Sequence, residues 1–160
     1  MSSGVAEFFH YQRWANEQLF DALSKLDEDA LAAEGDGTYG SIRDMLVHVA
    51  TAQANFLAGM TGKPPSDEIT NGMPFPGLGV LRRHTAAADD ALIAIAETRD
   101  PDEVLRGEFG GRSYEMRLVM PLMQSFNHAV EHRTQIGTIC GQRDIAFPQI
   151  DVWGWGKPFG

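Results

Sequence analysis

The chain is short of cysteine, of cationic residues and of long uncharged runs, and each shortage excludes a class of protein. A single thiol, Cys140, rules out an internal disulfide framework and fits a reducing cytoplasm. In its Ile-Cys-Gly setting near the end of an apolar-periodic segment, that thiol is expected to be buried and inert rather than nucleophilic. Thirteen Lys and Arg against 22 Asp and Glu give a formal charge of −9 and a pI near 4.9. With the few cations scattered, neither nucleic acid nor an anionic membrane surface is an expected partner. The N-terminal MSSGVAEFFHYQRW lacks a cationic start followed by an apolar run, so no secretory leader is expected. No segment reaches the uncharged apolar length of a membrane span. These absences predict a soluble, cytoplasmic protein, and the 160 residues suffice for one domain with a sizeable core.

What is present is helical periodicity. The spacing of Val5, Phe8, Leu19, Leu23 and Leu26 predicts a first helix from about Gly4 to Leu26. Ser41, with Asp44 three residues on, is a capping-box-like start for a second helix that continues to Gly59 or Gly62. A Pro- and Gly-rich loop from Lys63 to Gly79 forms a long crossover. The third helix buries Leu81, Ala88, Leu92 and Ile95 and ends before Asp100-Pro101. Between Val104 and Val119, Gly110-Gly111 separates two short segments and predicts a small hairpin. Pro121 suits the first turn of a fourth helix, and Gly141 is its expected C-terminal cap. Residues 142–160 are expected to form an irregular tail packed on the bundle, with Trp153 and Trp155 covering apolar surface. The expected fold class is all-α: a four-helix bundle with a long crossover and a small β-hairpin before the last helix.

The chemistry concentrates in His128-Ala-Val-Glu131-His132. Two histidines four residues apart share one helix face, with Cβ atoms about 5–6 Å apart, so both can reach a single ion. On this helix Val119, Leu122, Met123, Phe126, Ala129 and Val130 form an apolar side, while Gln124, His128, Glu131, His132 and Gln135 lie roughly opposite. That polar side reads equally as a solvated face or as half of a metal site. A third imidazole from another helix would complete a three-nitrogen set. His48, on the flank of the second helix near Met45, Ala52 and Asn55, is available, although alone it reads as an ordinary helix histidine. His10 and His84 have no helical partner histidine and receive no role. Glu131 is a weak catalytic candidate, as base or outer partner, against its reading as a surface carboxylate. Arg133 and Arg143 are candidates to hold a substrate carboxylate on charge alone. On the first helix, Gln12 and Asn16 interrupt the stripe that should be buried, which calls for a polar interior, ordered water or local backbone partners. Tyr11 and Trp14 lie off that stripe. If the histidines face inward, both helices keep a second apolar face, and a homodimer is expected to bury it.

Four segments in order carry a resemblance. Tyr11-Gln-Arg-Trp14-Ala-Asn16, Ser41-Ile-Arg-Asp-Met-Leu-Val-His48, His128-Ala-Val-Glu-His132-Arg-Thr-Gln135-Ile and Pro148-Gln-Ile-Asp151-Val-Trp153 resemble the DinB-like superfamily of damage-inducible-type four-helix metalloproteins. The likeness covers essentially the whole chain. Thr134 departs from it, standing where the family often has Gly, which bears on helix packing more than on ligation. The resemblance implies an antiparallel bundle, dimeric in many members, with a divalent metal on His48, His128 and His132 and solvent completing the shell. Zinc and nickel both suit imidazole. It also implies a small-molecule substrate and an enzyme such as a thiol-dependent S-transferase using a low-molecular-weight thiol, or a hydrolase. A non-catalytic metal-binding or stress-response protein is the alternative. No basic stripe supports DNA contact.

Overall fold

In a computed structural model, which describes residues 4–65 and 68–156, the chain is a helical bundle carrying one hairpin. Four long helices, α1 (Gly4–Leu23), α3 (Ile42–Thr61), α4 (Leu78–Thr98) and α5 (Val119–Gln142), are joined by two short ones, α2 (Glu28–Leu31) and α6 (Val152–Gly156). The hairpin pairs β1 (Val104–Phe109) with β2 (Arg112–Arg117), antiparallel, just before α5. The all-α bundle, its long crossover and its hairpin are therefore as expected, and the two short helices are additions.

Local chemistry explains the boundaries. Ser41 accepts from the Asp44 N–H while the Asp44 carboxylate accepts from the Ser41 N–H, a complete capping box, and Gly62 closes α3 in the left-handed region with φ 70°. Gly110 and Gly111 both have positive φ, as a two-residue hairpin turn requires. The first helix stops at Leu23, short of Leu26, and Leu26 instead packs from the following turn onto the core. Gly141 is not the cap of α5. The helix runs past it to Arg143, Asp144 takes the left-handed conformation at φ 54°, and the Ile145 N–H bonds back to the Cys140 carbonyl in a Schellman-type closure. Asp can adopt αL, which is why the glycine is dispensable there.

The tail is not wholly irregular, since Val152–Gly156 forms a helical turn. It packs on α1: the Tyr11 hydroxyl donates to the Ile150 carbonyl, and Trp155 lies edge-on to Tyr11 at 6.1 Å. Trp155 thus covers apolar surface, whereas Trp153 is 64% exposed. Tyr11 and Trp14, read from the sequence as surplus for a partner, are covered in part by the chain's own tail. The tail's last four residues, and residues 1–3 of the N-terminal stretch read for a leader, lie outside the described residues.

α1 packs chiefly on α4, and α3 on α5. Two apolar clusters result. One gathers Leu19, Leu23, Ile42, Met45, Leu81 and Ile136; the other gathers Phe9, Met60, Leu92, Leu105, Leu118 and Leu122. Along every long helix, buried polar residues fall between the two: Gln12 and Asn16, Gln53, Asp89, and His132 with Arg133. No helix among the described residues is long and apolar enough to cross a membrane.

Candidate metal centre

The polar layer divides into two halves. On one side lie the three histidines. His48 projects from α3 two turns after the Ser41 cap, and His128 and His132 come from one face of α5. The Nε2 atoms of His48 and His128 are 3.1 Å apart, and one ligand nitrogen from each of the three rings can be chosen so that all lie within 4.8 Å of one another. Ring centroids are 4.5–5.0 Å apart and no two rings are stacked parallel, so the nitrogens converge rather than the faces. Two imidazoles sharing an ion at about 2.0–2.1 Å, at angles between octahedral and tetrahedral, would hold their nitrogens about 3 Å apart. The residues present therefore fit a divalent ion. His48, read from the sequence as a flank residue, is brought to the other two by the packing of α3 on α5.

Burial favours the ligand form of two of the rings, His48 and His128. Desolvation, then the charge of His132, lowers the His48 pKa. Desolvation, with His132 and His48 adding to it and Glu131 opposing, pushes His128 down to about 4. Neutral imidazole is the species that coordinates.

Gln135 and Tyr39 were not assigned roles from the sequence. One turn after His132, the Gln135 Oε1 lies 3.3 Å from His132 Nδ1 and accepts from the Tyr39 backbone N–H at 3.1 Å. A hydrogen bond at Nδ1 fixes the tautomer that leaves Nε2 free, the usual duty of an outer partner to a ligand histidine. Tyr39 in turn lies 4.4 Å from the His48 ring, tilted 31°, and edge-on to His132. A cleft of about 340 Å³ opens beside His48, lined among others by Tyr39, Asp44, Val47, Asn71 and Met73. A groove of about 380 Å³ between α3 and α4 touches none of the three histidines and is not part of this site.

Other candidates fall elsewhere. Glu131 is exposed, and its charge acts on His128. Arg133 is not placed to take a substrate carboxylate: it is 5% exposed, turned into the bundle, and donates to the Asn16 Oδ1 at 2.9 Å. Arg143 bonds the Glu34 carbonyl. His10 meets Glu97 at 3.1 Å, and His84 lines the groove between α3 and α4. The apolar side read for α5 is also rotated: Met123 is 62% exposed, while Ser125, His132 and Arg133 face inward. Cys140 is buried, and desolvation raises its pKa, as expected of an inert thiol.

The other half of the polar layer answers the question posed by Gln12 and Asn16. Neither local backbone nor a cavity receives them. Gln12 Nε2 donates to Asp89 Oδ1 at 2.8 Å and Asn16 Nδ2 to Asp89 Oδ2 at 2.8 Å, and Gln53 Nε2 reaches Asp89 Oδ1 at 3.2 Å. Burial pushes the Asp89 carboxyl up, against these three amides and the Arg133 guanidinium, which favour its charged form. Asp89, one of an adjacent Asp pair in a helical run, gave no hint of this from sequence.

Comparison with known proteins identifies the family and the fold. The DinB family model matches residues 1–153. Protein DinB of Bacillus subtilis (strain 168) is 29% identical over 69 residues, which are 43% of this chain and 40% of that relative's length. The crystal structure of a DinB-like protein from Bacillus cereus ATCC 10987 is similar in fold, with a TM-score of 0.70 and 20% identity over 91% of this chain and 95% of the other.

Proposed function

The chain belongs to the DinB family, and from that premise we propose that it is a divalent-metal enzyme built on His48, His128 and His132. The observation that carries the proposal is the convergence of three imidazole nitrogens within 4.8 Å, with no fourth His, Cys, Asp or Glu joining them among the described residues. A structural zinc site is normally closed by four protein ligands, whereas three ligands beside a cleft suit a catalytic one. An ion held there supplies Lewis acidity to a thiol or a water molecule.

The chain's own residues do the rest. Gln135 holds the His132 tautomer, Tyr39 walls the His48 side against solvent, and the cleft beside Asn71 and Met73 admits a small molecule. Thiol-dependent S-transfer is the favoured reaction and hydrolysis the second. Among the described residues, Asp44 beside the cleft is engaged in the α3 cap and Glu131 is on the surface, which suits a substrate activated by the ion more than one needing a protein base. Zinc and nickel are the proposed metals, and a low-molecular-weight thiol the proposed co-substrate. The proposal includes a homodimer in which Phe8, Met120 and Met123, each more than half exposed, are covered by a second copy.

Elemental analysis of untagged protein tests the metal centre. One ion per chain is expected, falling to near zero in His48→Ala, His128→Ala and His132→Ala, and near-stoichiometric metal in all three variants would overturn it. Screening the loaded protein with thiols and electrophiles tests the activity. Persistent silence beside metal-dependent folding would favour a non-catalytic metal-binding role. Sedimentation velocity decides the dimer.

A further inference from the structure

The half of the polar layer that holds no histidine is an odd way to build a core. Asp89, Arg133, Gln12 and Gln53 are each at most 5% exposed, and Asn16 is 7% exposed. The two charges are not in direct contact within ion-pair distance. Asn16 stands between them, donating to Asp89 through Nδ2 and accepting from Arg133 through Oδ1. Even so, Gln12 Oε1, Gln53 Oε1 and Arg133 Nη2 remain without a protein partner. Buried charges repay their desolvation only with near-ideal pairing, and well-packed apolar side chains often stabilise as much or more. Stability alone therefore does not account for this cluster. Orientation does.

The cluster joins all four long helices at one level. Gln12 and Asn16 bring α1 and Gln53 brings α3 to the Asp89 carboxylate of α4, and Arg133 ties α5 to them through Asn16. The two helices that carry the three converging histidines are thus fastened to one that carries none of the three. Arg133 follows His132 directly, so their side chains diverge by about 100° around α5. With the guanidinium drawn toward α1, His132 is turned toward α3. His128 and His132 lie about 40° apart on one face, so any rotation of α5 that released Arg133 would swing both away from His48 together. On α3, Gln53 stands about 140° around from His48 and restrains that helix from behind the site in the same manner.

We infer that Asp89, with Asn16, Gln53 and Arg133 bonded around it, is a positioning residue for the three imidazoles, setting the rotation of α3 and α5 that makes their nitrogens converge. The inference rests on reading the histidines as a metal centre, and its test separates the two. Cobalt(II) is the probe, since its affinity follows from chelator competition and its visible spectrum reports ligand geometry. The double variant Asp89→Leu/Arg133→Met removes both charges and refills the space with apolar groups. Its metal-free thermal midpoint is expected to fall, because the Gln12, Asn16 and Gln53 amides lose their buried partners, and in the folded variant cobalt binds about 10- to 100-fold more weakly, the range for loss of outer partners, with a shifted spectrum. Gln53→Met removes one amide from α3 without touching either charge, and is expected to show the same change at the low end of that range. It carries the test if the double variant does not fold. Wild-type cobalt affinity and spectrum in a folded variant would overturn the positioning role. Cobalt retained undiminished by His48→Ala and His132→Ala with the network intact would instead overturn the metal centre, and the inference with it.

Discussion

Single atoms decide whether three histidines make a ligand set. Gln135 contributes one such atom: its Oε1 serves both the His132 ring and the Tyr39 backbone, so it holds a ligand and the wall of the cleft at once. Gln135→Leu is expected to weaken metal binding about 10- to 100-fold by chelator competition while leaving the fold intact by circular dichroism. An unchanged affinity would remove Gln135 from the site. Protonation is the second residue-scale test. His128 is held down to about 4 and so remains neutral as the pH falls through the ordinary histidine range, and His48 is lowered in the same direction. Metal is therefore expected to stay bound at pH 6 and to be released between there and about pH 4. In the metal-free protein the unfolded chain takes up these protons near pH 6.5 and the folded chain only lower down, so stability falls as pH drops through that window and levels below it. Urea midpoints between pH 7 and 4 should show that loss, reduced in His128→Asn, and a flat profile in the wild type would contradict the burial argument. The i, i+4 pair was legible in sequence because helical spacing alone sets it. Asp89 and Arg133 were not, because their partners lie on other helices and no local pattern encodes a contact between residues far apart in sequence.

At the scale of elements, the ligand face of α3 begins at its cap. Ser41 and Asp44 satisfy two of the backbone donors that would otherwise be orphaned at the helix start, and they do so two turns before His48. Ser41→Ala is expected to cost about 1 kcal/mol, a drop of about 2–4 °C in thermal midpoint for a chain of this size. A loss within error would mean that the Asp44 side of the box suffices. This cap, the Gly-Gly turn of the hairpin and the helical stripes could be read directly, since each is a short-range rule obeyed by neighbouring residues. The misreadings share the opposite cause. Gly141 looked like a cap because glycine usually supplies the left-handed residue, yet Asp144 supplies it here and the helix continues. Met123 looked like core because it is apolar, but with Arg133 and His132 facing inward it is left exposed. Periodicity locates a helix and leaves its rotation to the tertiary contacts.

For the whole molecule, the proposed metal centre would be a cross-link in the polar layer between the two apolar clusters. The apolar clusters flank it, with Val47 of one beside His48 and Phe56, packed on the other, edge-on to His128, and α3 and α5 meet at this level through the His48 and His128 rings. An ion held by His48 on one helix and His128 and His132 on the other ties the pair in the folded state, and the unfolded chain has no comparable site. Binding must then stabilise the fold by mass action, by about 2.7 kcal/mol when free metal stands 100-fold above its dissociation constant. At about 2–4 °C per kcal/mol that is a rise of about 5–10 °C in thermal midpoint on adding zinc or nickel to chelator-treated protein. His48→Ala cuts the link to α3 and should abolish the rise, even though the i, i+4 pair on α5 survives. Glu131→Gln, on the surface beside the same pair, should preserve it. A rise that persists in His48→Ala would mean that the ion sits on α5 alone. The same midpoint with and without metal in the wild type would mean that the three rings, though close, do not act as one site.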